Sequence, residues 1–422
     1  MRLRTATGLL DAVVTVPGSK SIANRALVCA ALADGLSTLR GLPTGEDTQA
    51  MVRCLAGLGV DVSVDGTSAA VTGTGGRLRS GEVNLDAGLA GTTSRFVTAV
   101  AALADGPVTV DGEAPLRRRP MGPLHVALTR LGAAVESDGG LPVTVRGPIR
   151  RGGTLMLPGD VSSQFLTALM LIGPLLEGGL RLRPTTPLVS APYLSITAEV
   201  MAAFGVPGVD VRKHRIEVPA ARYRGAVVEI EPDASSASYP LAMAAVAGGG
   251  VEVSGLHRHS LQGDAAFVDV LAGMGCTVDD GHTGLAVTRD PNVPLRGIDV
   301  DMAGISDLVP TLAVVAATAS TPTTIRGVGF IRRKESDRLG DLAAELAKAG
   351  AHVAVEADGL HIEPRALHGA ALESHDDHRL AMAFGVLATV VEGIDVDDPG
   401  VVSKSWPDFW AVRESIIETV RA

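Results

Sequence analysis

The stretch SIANRALVCAALADG, residues 21–35, is followed 71 positions later by TTSRFVTAVAALADG, residues 92–106. Both open with small hydroxylated residues, carry an arginine within their first five positions, turn almost wholly apolar and end at Asp-Gly. Four further runs align with them: SSQFLTALMLIGPLLEGG (162–179), SSASYPLAMAAVAGGG (235–250), SDLVPTLAVVAATAS (306–320) and DHRLAMAFGVLATVVEG (377–393). Their opening residues, Ser21, Thr92, Ser162, Ser235, Ser306 and Asp377, are spaced by 71, 70, 73, 71 and 71 positions. Such a fixed period is the signature of an internal repeat. A helix that is apolar all round belongs in the middle of a packed body, so each copy supplies one buried helix.

Each run leads into a short strand-like stretch ending near glycine, such as STLRG, VTVDG, VEVSG or TTIRG, then a polar loop and a second, amphipathic helix. In five copies that second helix stops at a glycine, Gly59, Gly132, Gly205, Gly275 or Gly350, and two alternating strands follow. In the sixth copy the matching glycine would fall near 422, where the chain ends. The N-terminal TATGLLDAVVTVPG resembles the hairpin DGTSAAVTGTGG of the first copy and is expected to supply the missing strand pair. The class expected is α/β (α+β): two similar domains, each of three βαβαββ units around buried parallel helices. Copies one to three form residues 18–232. Copies four to six with residues 1–17 form the other domain, 233–422, with hinges near Pro17 and Pro232.

A chain of 422 residues is long enough for two such domains, and 46% hydrophobic content suits a packed globular protein. No apolar stretch approaches the roughly 20 residues of a membrane span, and Asp11 interrupts the N-terminus before a signal core develops. A cytoplasmic protein without membrane contact is expected. Cys29, Cys54 and Cys276 are odd in number and lie in apolar surroundings, which reads as buried thiols with no disulfide or zinc framework. A net charge of −10 and 3% aromatic residues remove both the electrostatic footprint and the stacking surface of a nucleic-acid binder.

VPGSKSIANRAL (16–27) places Lys20 and Arg25 at the first helix mouth. It is not a P-loop, because Ser19 stands where that motif needs its second glycine. The plainer reading is a capped helix start with a solvated lysine. Repetition changes the weight, since six helix N-termini carry free N–H groups and partial positive charge suited to phosphate and carboxylate. The mouths contribute Lys20, Ser21, Arg25, Arg95, Ser162, Ser163, Gln164, Asp307, His378 and Arg379, and the loops contribute Arg119, Tyr193, Lys334, Glu335, Arg338 and Lys404. Cations dominate this set in an acidic protein. That contrast points to a polyanionic small molecule held by arginine forks, with Asp307 and Glu335 as candidate proton carriers.

These residues carry a resemblance. VPGSKSIANRAL, LAGTTSRF, RRRPMGPL, VSSQFLTALM, LVSAPY, DASSASYPLA, RRKESDRL, DHRLAMAF and SKSWPDF, in that order along the whole chain, resemble the motif series of the 5-enolpyruvylshikimate-3-phosphate synthase family. The resemblance implies the enolpyruvyl transferase fold, an inside-out α/β barrel, and 3-phosphoshikimate 1-carboxyvinyltransferase activity. In that reaction the enolpyruvyl group of phosphoenolpyruvate passes to the 5-hydroxyl of shikimate 3-phosphate, on the route to chorismate and aromatic amino acids. It implies addition and elimination through a tetrahedral intermediate, no cofactor, no metal, membership of a family that is a target of glyphosate, and a monomer. By motif, Lys20, Ser21, Arg25, Ser162, Ser163, Gln164, Ser190, Tyr193, Asp307 and Lys334 would hold shikimate 3-phosphate. Lys20, Gly91, Arg119, Gln164, Arg338, Arg379 and Lys404 would hold phosphoenolpyruvate. Asp307, Glu335 and Lys20 would be catalytic. Phe330 and Leu89 depart from the family pattern, each standing where many members have asparagine.

Two rivals stand beside this reading. The related transferase acting on UDP-N-acetylglucosamine shares the repeat, but it typically carries a reactive cysteine in the second-repeat loop, and GEAPLRRRPMG has none. A non-catalytic repeat scaffold would need no cations and carboxylates at its helix mouths. His375 and His378 suggest a metal pair only weakly, since no third ligand is evident in the sequence.

Overall fold

A computed structural model describes residues 1–421. It divides into two compact units, Gly18–Ile230 and Met1–Pro17 with Glu231–Ala422. The second boundary falls two residues before the expected 232/233 division, and the backbone gives the reason. Ile230 N–H bonds to the carbonyl of Arg40 in the first unit. The carboxylate of Glu231 instead accepts from Ser260 Oγ at 2.5 Å and Gln262 Nε2 at 3.1 Å, both in its own unit.

In Gly18–Ile230 the helices Lys20–Leu32, Gly91–Ala101 and Ser163–Ile172 form the centre, with every residue from Ile22 to Leu32 buried. Each leads into a strand, Asp34–Arg40, Pro107–Asp111 or Glu177–Pro184, then an outer helix, Glu46–Gly57, Gly122–Arg130 or Pro192–Ala203. An antiparallel hairpin completes the copy. The outer helices stop where expected: Gly59, Gly132, Gly205, Gly275 and Gly350 all have φ between +83° and +109°, the left-handed cap that glycine adopts without steric cost.

The copies are stitched in a ring. The strand leaving each hairpin pairs parallel with the inner strand of the next copy, Val83–Asp86 with Pro107–Asp111 and Arg151–Leu157 with Glu177–Pro184. Val227–Glu229 then returns to Asp34–Arg40 of the first copy, so each of the three four-stranded sheets is completed by a strand from the preceding copy.

The other unit repeats the plan around Ala234–Ala247, Val309–Ala317 and His378–Leu387, with strands Asp299–Asp301 to Thr323–Arg326 and Ala371–Leu372 to Asp395–Val396 as links. Here the expectation for the N-terminus is corrected. Leu9–Val14 is not half of a missing hairpin. It is the closing link, parallel to Gly249–Ser254 of the fourth copy and flanked by Val420–Arg421. Residues before it take the hairpin's place at the sixth copy, where Arg2 bridges antiparallel to Asp395 and Leu3 N–H bonds to Ile394 O. Closing the ring takes precedence because an unclosed parallel edge would leave a row of backbone groups unpaired.

The fifth helix mouth also differs from the others. Ser306–Leu308 is a 3₁₀ turn, and the α-helix begins only at Val309. Pro310 fits this first turn because its missing N–H is one that the helix leaves unpaired. No helix among the described residues is long and apolar enough to cross a membrane.

Candidate active site

The first, second, fourth and fifth copies each bring a residue of the helix mouth against one in the loop that follows the short strand, 27 to 29 residues further on. In the first copy Ser19 caps Lys20–Leu32, its hydroxyl accepting from Ile22 N–H, and Lys20 is the first helical residue. Lys20 is not a solvated lysine: its Nζ lies 2.8 Å from the buried Asp47 carboxylate. In the fifth copy the same offset recurs with the charges exchanged, Lys334 Nζ lying 2.5 Å from Asp307 Oδ1. In the fourth, Ser235 Oγ donates to Asp264 Oδ2.

In the second copy the partners are Gly91 and Arg119. A Cβ on Gly91 would sit 2.5 Å from Arg119 Nη1, so the absence of a side chain there is what lets the guanidinium lie against the helix N-terminus. Nearby, Gln164 on the third copy's helix accepts from Arg95 and donates to Thr92 Oγ1 at 3.1 Å, while the Ser162 hydroxyl caps the same helix through Gln164 N–H. Ser163 follows as the first helical residue.

Arg25 is buried and bound by the protein. Its Nε donates to Thr197 Oγ1 at 2.8 Å, Nη1 to Ser21 O at 2.7 Å and Nη2 to Tyr193 O at 3.3 Å, with Phe96 and Tyr193 rings at 5.4 and 5.8 Å. Burial lowers its pKa to about 10 against the opposing pull of Tyr193 and Cys29, which leaves it charged at neutral pH. Ser190 adopts φ +51° and its carbonyl accepts from Tyr193 N–H, opening the helix that carries Thr197.

The unit containing residues 231–422 assembles a denser cluster. Asp307 accepts from Lys334, from Arg338 Nη1 at 3.0 Å and from Arg379 Nη2 at 2.9 Å. Arg338 Nη2 also holds Glu335 Oε2 at 2.7 Å, and its Nε holds Asp377 Oδ2 at 2.6 Å. Asp377 caps His378–Leu387 by accepting from Arg379 N–H. Three cations therefore face three carboxylates. Burial alone would raise the Asp307 pKa, but Arg379, Lys334 and Arg338 overcome it and hold the carboxyl well below its usual range. Burial lowers the pKa of Lys334, with Asp307 opposing. Phe330, the departure noted above, sets its ring 5.7 Å from Lys334 Nζ. Lys404 is buried at the end of the 3₁₀ turn Pro399–Lys404, which packs on His378–Leu387.

The match to known proteins follows this geometry. A family model described as EPSP synthase (3-phosphoshikimate 1-carboxyvinyltransferase) covers residues 5–412. The chain belongs to the EPSP synthase family. The 3-phosphoshikimate 1-carboxyvinyltransferase of Methanosphaerula palustris is 44% identical over 409 residues, covering 96% of each chain. That of Nostoc punctiforme is 40% identical, covering 95% of each. The solved EPSP synthase of Acinetobacter baumannii superposes with a TM-score of 0.82 at 25% identity, over 98% of this chain and 97% of that one. The region matched by the family model spans every candidate residue from Lys20 to Lys404.

Several residues of these clusters carry no signal in a single residue's type. Asp47, Thr167, Thr197, Tyr239 and Asp264 were not singled out from the sequence. Tyr239 is buried beside Arg379, and burial pushes its phenol up to about 12. The signal that could have found Asp47 and Asp264 is the offset of 27 to 29 residues from each helix mouth, which Lys20–Asp47 and Asp307–Lys334 share. His375 has neighbours of metal-binding type that were not evident in the sequence, Glu345 and Glu373, and His378 is not one of them. Lys348 Nζ lies 2.9 Å from Glu345 Oε1 and 3.2 Å from Glu373 Oε1, so an ammonium already pairs with both carboxylates.

Proposed function

We propose that this chain transfers the enolpyruvyl group of phosphoenolpyruvate to the 5-hydroxyl of shikimate 3-phosphate, releasing phosphate. The observation that carries the reading is the Asp307 cluster, in which a carboxylate and three cations converge within a chain that the family model covers almost end to end. Lys20, Ser21, Arg25, Ser162, Ser163, Gln164, Ser190, Tyr193, Asp307 and Lys334 are assigned to shikimate 3-phosphate. Lys20, Gly91, Arg119, Gln164, Arg338, Arg379 and Lys404 are assigned to phosphoenolpyruvate.

The chemistry needs a base for the 5-hydroxyl and a group that gives a proton to the methylene carbon and takes one back. Asp307 is assigned the first task, and Glu335 with Lys20 the second. Unliganded, Asp307 is a weak base because three cations hold its proton affinity down. Two of them, Arg338 and Arg379, are assigned to phosphoenolpyruvate, and Lys334 to shikimate 3-phosphate. As they turn to phosphate and carboxylate oxygens, Asp307 regains basicity in the state where it must accept a proton. Glu335 stays ion-paired to Arg338 until that same turn.

The test is incubation of the purified protein with both substrates, following phosphate release together with the mass of the product. Phosphate released with the enolpyruvyl adduct supports the reading. Turnover with UDP-N-acetylglucosamine but not with shikimate 3-phosphate would move the acceptor and leave the chemistry. The same reading carries a monomeric, cytoplasmic enzyme, and sedimentation velocity tests the first of these.

A further inference from the structure

Loop 373–377 connects strand Ala371–Leu372 to the helix whose mouth carries Asp377 and Arg379. Two successive residues in it, His375 and Asp376, have φ of +52° and +55°. Neither is glycine, so this turn is held against steric preference and needs partners to persist.

The partners come from Glu345 on the helix Gly340–Lys348, a buried residue with no task in the chemistry above. Its Oε2 accepts from Glu373 N–H and its Oε1 from His375 Nε2, each at 2.9 Å. A carboxylate only accepts, so Nε2 carries the hydrogen. Burial raises the Glu345 pKa, but Lys348, the Glu373 N–H and His375 together outweigh it and keep the group ionised at neutral pH. Asp397 Oδ1 accepts from Ser374 N–H at 2.8 Å, and Asp377 N–H closes the turn on Ser374 O. The helix bearing Glu345 begins directly after Lys334–Arg338, so one carboxylate ties together the two segments that frame Asp307.

We propose that Glu345 is a positioning residue for phosphoenolpyruvate binding: it holds loop 373–377 in its left-handed turn and thereby aims Asp377 and Arg379. Asp377 in turn fixes Arg338. The inference rests on the assignment of Arg338 and Arg379 to phosphoenolpyruvate.

Steady-state kinetics of Glu345→Gln with each substrate varied separately test it. Expected is a rise of about tenfold in KM for phosphoenolpyruvate with KM for shikimate 3-phosphate within about twofold of wild type. His375→Leu, on the partly exposed side of the pair, should raise the same KM by about threefold. Asp376→Gly in the Glu345→Gln background should recover at least half of the loss, because glycine takes a positive φ without strain. A Glu345→Gln protein with an unchanged phosphoenolpyruvate KM overturns the proposal. So does a parallel rise in both KM values without rescue, which would mark a merely structural residue. Should Glu345→Gln fail to fold, His375→Leu with and without Asp376→Gly decides by the same criteria. Arg379→Lys separates the two layers: no change in its phosphoenolpyruvate KM removes the ligand assignment and the proposal with it. A rise there with none in Glu345→Gln removes the positioning role alone.

Discussion

Arg338 Nε lies 2.6 Å from Asp377 Oδ2, and the two side chains are 1% and 0% exposed. A buried pair like this contributes little net stability over an apolar pair, yet losing one partner strands the other without water. Asp377 also caps its helix through Arg379 N–H and accepts from Ser336 Oγ at 3.1 Å.

Asp377→Ala should therefore destabilise the protein by about 3–5 kcal/mol, the range for breaking a buried ion pair. Asp377→Asn keeps an oxygen for the cap and should lose less. Chemical denaturation of the two variants measures the difference, and equal losses would mean that the charge on Asp377 carries the whole effect and its capping oxygen none of it.

Asp307→Asn removes one carboxylate from a balanced cluster and leaves Lys334, Arg338 and Arg379 facing Glu335 and Asp377. An anionic ligand should bind at least as tightly as before, while turnover falls by about 10²–10⁴, the range for loss of a general base. Calorimetric binding of phosphoenolpyruvate in the presence of shikimate 3-phosphate, set beside kcat, separates the two effects. Near-normal turnover would remove Asp307 from the proton transfer.

Gly91→Ala places a methyl group 2.5 Å from Arg119 Nη1, and only the far end of a flexible side chain must move. Stability should change by less than about 1 kcal/mol, within the usual range for substitutions that spare the core. The displaced guanidinium should raise the phosphoenolpyruvate KM several-fold. A raised shikimate 3-phosphate KM instead would reassign Arg119.

The repeat was legible because burial is written in composition: six all-apolar runs at near-constant spacing have one physical use. The capping glycines were legible for a similar reason, since a left-handed terminus selects glycine. The role of Leu9–Val14 was not, because a link strand and a hairpin strand share the same alternation, and only ring closure distinguishes them. Within the site, cations at helix mouths stood out against an acidic background. Thr167 and Thr197 did not, because a threonine that lends its hydroxyl to Arg25 is indistinguishable in sequence from one that packs. Asp264 did not stand out either, because a loop aspartate is common, although its separation in sequence from Ser235 is nearly that of Asp47 from Lys20.

Asp264 also gives the protein a pH dependence with a definite sign. Burial is the main cause of its raised pKa, about 6 against an ordinary 3.8, and repulsion from Asp307 adds to it, while Ser235 and Arg379 oppose. A carboxyl that binds its proton more tightly folded than unfolded favours the fold at low pH. It costs stability as pH rises from about 4 to about 6, and the full cost persists above that. Two pKa units correspond to about 3 kcal/mol, an upper bound for this side chain. Asp264→Asn keeps an oxygen for the Ser235 hydroxyl and removes the charge. Its stability relative to wild type should therefore be higher at pH 8 than at pH 4 by about 1–3 kcal/mol. Urea denaturation at the two values measures this. An offset independent of pH would mean that Asp264 titrates alike in the folded and unfolded chain, and that Asp307 and Arg379 do not feel its charge.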